Sequence, residues 1–286
     1  MLVVPGPRSP LLAERLAREL GCPTVPVEDK RFPDGEVYVR VSKPVKGEDV
    51  VVVQTTWPND ALITLLLLED AVRRLGPRTV SVVVPYFAYA RQDRVFHEGE
   101  SVSAEAMLAL LAARADRVVS VDMHRPATLK TVGVDTLNVS AVPAIAEHFR
   151  ARQPHVVLAP DKNALDRAQL AANILGAEVD HLVKKRVAPD VVDIQPHELD
   201  VAHKRVLIID DIISTGGTMV RATQELKRQG AKTVSAACTH GLFAPGALDK
   251  LHAAGLEQIV ATDTIEGPAS AVTVAAEVAK ALKGRV

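Results

Sequence analysis

The stretch RVLIIDDIISTGGT, residues 205–218, sets an apolar run directly against two carboxylates and then a turn of hydroxyls and glycines. Val206 to Ile209 have the continuous apolar character of a parallel strand buried on both faces. Asp210 and Asp211 stand where that strand delivers the chain, and Ser214, Thr215, Gly216, Gly217 and Thr218 open a helix carrying Met219, Val220, Ala222 and Leu226. Glycines let backbone N–H groups come close to a phosphate, a helix N-terminus favours negative charge, and the hydroxyls add donors. The paired acids would repel that phosphate. They suit a place one sugar away, accepting hydrogen bonds from vicinal hydroxyls and serving a magnesium ion. A sugar 5-phosphate held lengthwise across the carboxyl end of a parallel sheet satisfies both halves. A plain helix N-cap explains one Thr and one Gly but not two consecutive acids after a buried strand.

Similar runs recur on both sides of this stretch: LVV near residue 2, VYVRV at 37–41, VVVVQ at 50–54, VSVVVP at 80–85, RVVSVD at 117–122, VVLAP at 156–160, VSAACT at 234–239 and QIVATD at 258–263. Between them, start and stop signals and amphipathic spacing predict helices over 9–20, 60–75, 103–115, 141–152, 163–175, 217–229 and 271–283. The alternation predicts an α/β protein of mainly parallel sheets flanked by helices. A length of 286 residues suits two domains, 1–145 and 146–286, with the last helix able to pack back on the first domain.

Composition narrows the function classes. Apolar residues make up 48% and charged residues 24%, ordinary globular usage rather than disorder. The formal net charge of −1 gives no positive field to hold nucleic acid or an anionic membrane, so phosphate recognition has to be local. Cys22 and Cys238 are too few for a disulfide framework or a four-cysteine zinc site, and the longest apolar run, ALITLLLL at 61–68, is too short to span a bilayer. With no signal-peptide pattern at the start, a cytoplasmic protein is expected.

DDIISTGGT resembles the phosphoribosyl diphosphate loop of the type I phosphoribosyltransferase fold, and the expected architecture is two domains of that kind. Five further segments, FPDGE at 32–36, YFAYARQDR at 86–94, VDMH at 121–124, APDKNALDRA at 159–168 and KKR at 184–186, in this order with the loop at 210–218, resemble the ribose-phosphate diphosphokinase family, nearest its shorter archaeal type. The resemblance covers nearly the whole chain. It implies transfer of the β,γ-diphosphoryl group of ATP to the 1-hydroxyl of ribose 5-phosphate, giving phosphoribosyl diphosphate and AMP, with Mg2+ as cofactor.

By the same resemblance, Phe32, Asp34, Gly35 and Glu36 hold the adenine of ATP in the site of a neighbouring subunit, so self-association completes the site. Taken alone, FPDGE is a Pro-Asp-Gly turn before a strand. Arg91, Gln92 and Asp93 follow the strand ending at Pro85; guanidinium groups there suit a polyphosphate, and the resemblance implies that they contact ATP. His124 and Asp161, each just past a strand, are the implied magnesium ligands. Asp161 fits a hard cation, whereas chemistry alone would not select a histidine. Lys184 and Arg186, by themselves a solvated charge run, match a mobile loop that closes over the transferring group, the implied catalytic residues. Two cations there would offset charge developing on the phosphate oxygens. Arg186 joins Asp210, Asp211, Ser214, Thr215, Gly216, Gly217 and Thr218 as the implied ribose 5-phosphate site.

Two departures stand out. Many bacterial members carry an acid where this chain has Ser214. The segment VFHEGESVSAEA at 95–106 differs from the basic loop that binds ADP and phosphate in bacterial forms, since Glu98 and Glu100 oppose such anions. Other readings of the fold are a phosphoribosyltransferase that consumes the diphosphate, which leaves FPDGE, ARQD and Lys-x-Arg without purpose, and a non-catalytic regulatory homologue, although every matched catalytic position is filled.

Overall fold

The computed structural model describes residues 1–188, 191–196 and 200–284. Its first strands and helices, in chain order, are β1 (Leu2–Pro5), α1 (Pro10–Leu20), β2 (Val27–Arg31), β3 (Val37–Val41), β4 (Asp49–Val53), α2 (Asn59–Arg74), β5 (Thr79–Val84), α3 (Ser103–Ala112), β6 (Arg117–Val121) and β7 (Asp135–Val139). Then follow α4 (Val142–Phe149), β8 (Val156–Ala159), α5 (Leu165–Leu175), β9 (Glu178–Ala188), β10 (Val191–Pro196), β11 (Arg205–Ile213), α6 (Gly217–Arg228), β12 (Thr233–Gly241), α7 (Ala247–Ala253), β13 (Gln258–Thr262), β14 (Ser270–Val272) and α8 (Ala275–Lys283).

The chain forms two compact units. One holds Met1–Ser140, Asp263–Glu266 and the chain from Thr273 onward; the other holds Ala141–Thr262 and Gly267–Val272. In the first, β1-β4-β5-β6-β7 form a wholly parallel sheet, and β2 and β3 form a separate antiparallel hairpin. Val50 and Val52 pack with α2 and α3 residues such as Leu65 and Leu108, while Val51 and Val53 on the opposite face are buried as well. Burial on both faces is why these strands carry β-branched residues without alternation. Here α8 packs on α1, and the 263–266 segment docks beside it. Asp263, almost wholly buried, accepts from Arg15 Nη1 at 2.6 Å and from the Val274 N–H at 3.0 Å, while Glu266 accepts the Leu12 N–H at 3.0 Å, in the first turn of α1. A carboxylate at a helix N-terminus meets both its unpaired donors and its positive end.

The second unit has the sheet order β10-β9-β8-β11-β12-β13-β14, parallel except for the β9–β10 pair. Leu158, Ile208, Val234 and Ala236 share a core with Met219, Ala222 and Leu226 of α6. The helix expected at 271–283 begins later, because Ser270–Val272 pair with β13 as an edge strand. No helix among the described residues is long and apolar enough to cross a membrane.

One core residue of the first unit is a misfit. Glu69 on α2 is wholly buried and neither carboxyl oxygen has a hydrogen-bond partner. Burial pushes its pKa up to about 8, against the pull of Arg114 and Arg73. The fold therefore holds the protonated acid, while the unfolded chain ionises from about pH 4.5 upward. Stability is fully present below that pH and declines as pH rises toward 8, by at most about 1.4 kcal/mol per pH unit. Denaturant unfolding at pH 5, 6, 7 and 8 should show Glu69→Gln gaining on the wild type with each step. Parallel pH dependences for the two proteins would mean that Glu69 is ionised inside the fold.

Candidate active site

In the second unit β11 runs past its two acids to Ile213 before the chain turns. Asp210 lies in register with Cys238 of β12, whose buried thiol is pushed far up by desolvation and so is unreactive. The Asp211 N–H donates to Asp210 Oδ1 at 2.8 Å. Burial, then the charge of Asp211, pushes the Asp210 carboxyl above the usual range, and the Arg167 guanidinium on α5 offsets this in part. Arg167 sits in the quoted APDKNALDRA stretch, but its bearing on the acid pair shows only in the fold; its Nε is buried with no hydrogen-bond partner.

Beyond Ser214 and Thr215, Gly216 takes φ 75°, the left-handed region, and serves as the N-cap of α6. The backbone there favours glycine, and a Cβ would also crowd Leu251, with Cγ at 3.1 Å. No side chain caps α6, which leaves the donors of Gly217, Thr218 and Met219 at the helix's positive end for an external anion. The turn is braced from behind: the Leu242 and Phe243 N–H groups donate to the Ile213 carbonyl at 3.1 Å, and that of Ala244 to the Ser214 carbonyl at 3.0 Å. One strand, turn and helix thus unite Asp210, Asp211, Ser214, Thr215, Gly216, Gly217 and Thr218 in a single rigid cradle.

In the first unit, FPDGE is the tip of the β2–β3 hairpin. The Gly35 N–H donates to the Phe32 carbonyl at 2.9 Å, the Phe32 N–H to the Glu36 carbonyl at 2.8 Å, and the Glu36 N–H to Asp34 Oδ1 at 3.1 Å, closing a turn in which Gly35 has φ 94°. Phe32 stays exposed, with Lys30 Nζ 5.0 Å over its ring, and Arg31 pairs with Asp60 at the start of α2. The turn therefore presents an aromatic face to its surroundings on a firm base.

After β5, the Tyr86 carbonyl accepts from the N–H of Thr56 and from the hydroxyls of Thr55 and Thr56, strapping this segment to the end of β4. Tyr89 is at φ 68°, a left-handed conformation uncommon for a residue with a side chain. Arg91 is exposed beyond it, while Gln92 and Asp93 are half-buried. Asp122, at the end of β6, has φ 38°, and its neighbours after Met123 are exposed His124 and Arg125. Arg125 Nη1 reaches Asp93 Oδ2 at 3.1 Å, so the VDMH and ARQD segments meet through a residue that the motif alone did not mark.

Lys184 and Arg186 fall not on a loop but on β9, where their backbones pair with Ile194 and Val192 of β10. Val183, Val187, Val191, Val192 and Ile194 give this region the β-branched content of a hairpin. The side chains of Lys184 and Arg186 lie outside the described residues.

Asp161 is exposed and its Oδ1 accepts the Asn163 N–H at 2.8 Å. Among the described residues no group of three or more His, Cys, Asp or Glu side chains is set to cage a metal. Magnesium needs no such cage, since it keeps waters and takes one or two carboxylates together with substrate phosphates. The partly compensated acid pair Asp210–Asp211 and the Asp161 carboxylate are donors of that kind; the imidazole of His124 is a poor one.

A family model described as the N-terminal domain of ribose phosphate pyrophosphokinase matches residues 1–114, and a phosphoribosyl transferase domain model matches residues 142–283. The ribose-phosphate pyrophosphokinase of Methanopyrus kandleri is 44% identical, covering 99% of both chains. That of Pyrococcus furiosus is 45% identical and covers 90% of this chain and 92% of its own. The crystal structure of phosphoribosylpyrophosphate synthetase from Mycobacterium smegmatis matches with a TM-score of 0.84 at 28% identity, over 99% of this chain and 98% of that one. Relatives so similar over nearly the full length, on a fold whose second unit carries the acid pair and the uncapped helix, establish that the chain belongs to the ribose-phosphate pyrophosphokinase family.

Proposed function

We propose that the protein transfers the β,γ-diphosphoryl group of ATP to the 1-hydroxyl of ribose 5-phosphate, in the cytoplasm, as a homo-oligomer. The carrying observation is the β11–α6 cradle, which offers hydroxyl acceptors at one end and uncapped N–H donors at the other. Thr215, Gly217 and Thr218 hold the 5-phosphate, while Asp210 and Asp211 accept from the ribose 2- and 3-hydroxyls and so fix the ring. The 1-oxygen attacks the β-phosphorus in line, the bond between that phosphorus and the α,β-bridging oxygen breaks, AMP leaves with that oxygen, and the hydroxyl proton passes to solvent. Arg91 and Gln92 orient the triphosphate, and Lys184 and Arg186 offset the charge that develops on the oxygens in transit. Asp161 and the acid pair would hold magnesium, which would neutralise diphosphate charge when bound, and His124 is the further ligand that the family resemblance implies. The exposed Phe32 turn suits insertion into the nucleotide site of a second copy, where its ring stacks on adenine.

Incubating ATP, ribose 5-phosphate and magnesium should yield AMP in one-to-one ratio with phosphoribosyl diphosphate; well-folded protein giving neither would refute the reading. Lys184→Ala should lower kcat roughly 10²- to 10³-fold with much smaller changes in either KM. Gly216→Ala should raise KM for ribose 5-phosphate roughly tenfold and leave KM for ATP in place, since it strains only the cradle.

A further inference from the structure

Between β5 and α3 lies a polar segment whose sequence is that of a solvated loop, yet it is held from within. Gln92 is fixed at four points. Its N–H donates to the Tyr89 carbonyl at 3.2 Å and its carbonyl accepts the Ala104 N–H at 3.1 Å. Its side-chain Nε2 donates to the Arg94 carbonyl at 3.1 Å and to Glu100 Oε2 at 3.2 Å. That same Glu100 oxygen accepts the backbone N–H of Phe96 at 2.7 Å and of His97 at 3.1 Å. The two backbone donors, first Phe96 and then His97, hold the Glu100 carboxyl below its ordinary pKa.

Consecutive backbone N–H groups converging on one oxygen form an anion cradle, and here the anion is the chain's own carboxylate. Both partners of Gln92 Nε2 are pure acceptors, so the orientation of the amide is unambiguous, and these bonds do not engage its side-chain oxygen Oε1. Glu98, two residues earlier, has no part in these bonds.

We infer that Glu100 is a positioning residue: its carboxylate fills the Phe96–His97 cradle and thereby presents Gln92 to ATP without any external anion. This rests on the reading in which Gln92 contacts ATP. A carboxylate deleted from such a cradle leaves two donors aimed at an empty space of its own shape, which a small carboxylate from solution can refill.

Steady-state kinetics of the full-length enzyme test this with Glu100→Ala, Glu100→Gln and Gln92→Ala. Glu100→Ala should raise KM for ATP roughly tenfold while KM for ribose 5-phosphate holds. Acetate or formate at tens of millimolar should bring KM for ATP back toward the wild-type value, whereas chloride at equal ionic strength should not, and neither salt should alter the wild type in this way. Gln92→Ala should show the raised KM for ATP without rescue. A raised KM in Gln92→Ala beside an unchanged KM in Glu100→Ala would overturn the positioning role alone. A Gln92→Ala enzyme with unaltered KM for ATP would overturn the ATP contact and the positioning role together. Impairment of Glu100→Ala that no carboxylate relieves would mark Glu100 as merely structural and also overturn the inference. Should Glu100→Ala fail to fold, Glu100→Gln carries the test: it keeps an acceptor but loses the charge, and its KM for ATP should rise by a smaller factor, with no rise counting against the inference.

Discussion

Along a parallel strand covered on both faces, every buried polar group needs a partner. The acid pair, the turn glycines and the ARQD segment accordingly stand toward or beyond the carboxyl ends of parallel strands, whereas Lys184 and Arg186 lie within the β9–β10 hairpin. In the second unit this places Asp210 and Asp211 at the point where β11 leaves the buried zone, a few residues before the uncapped start of α6. In the first it places the ARQD segment beyond β5 and the Asp122–Arg125 segment beyond β6, joined by the Arg125–Asp93 ion pair. The topology, rather than any single contact, decides where substrates can be met.

The same chemical group takes opposite charge tendencies in different corners of the molecule, and environment alone sets the sign. Glu69 is pushed up by burial without a hydrogen bond, and Asp210 by burial beside a second acid. Glu100 is pulled down by hydrogen bonds from the backbone N–H groups of Phe96 and His97. The first is a core residue carrying a proton it would otherwise lose. The second shares its burial with another acid, and the third already has its donors.

Local sequence disclosed the parts whose physics is local. The apolar run of β11, the glycines of its turn and the amphipathic spacing of α2 and α6 need no distant partner to be recognised. The FPDGE turn was visible, but β2 before it was not, since four of its five residues, Glu28 to Arg31, are exposed charged side chains that a hairpin tolerates and a core strand would not. Seven-residue α7 and three-residue β14 are too short for periodicity to show. Glu100 looked like an anion-repelling surface acid because its hydrogen bonds run to Gln92, Phe96 and His97 through a loop closure that no pattern encodes. Arg167 and Arg125 were hidden in the same way: each matters through a partner far away along the chain, Asp210 for one and Asp93 for the other.

The docking of α8 and of the 263–266 segment on α1 bears on how the protein is made. The ribosome finishes β7 at Val139 long before it reaches Ala275, with the whole second sheet synthesised in between. At ordinary translation speeds that interval is roughly 7 to 27 seconds. Throughout it the nascent first sheet has its strands and most of its helices but lacks the partner of α1 and the carboxylate that caps it, so one flank stays open to solvent and to other chains. Completion of the first unit thus waits on the synthesis of α8, and quality control that senses exposed apolar surface would see this unit as unfinished until α8 has cleared the ribosome.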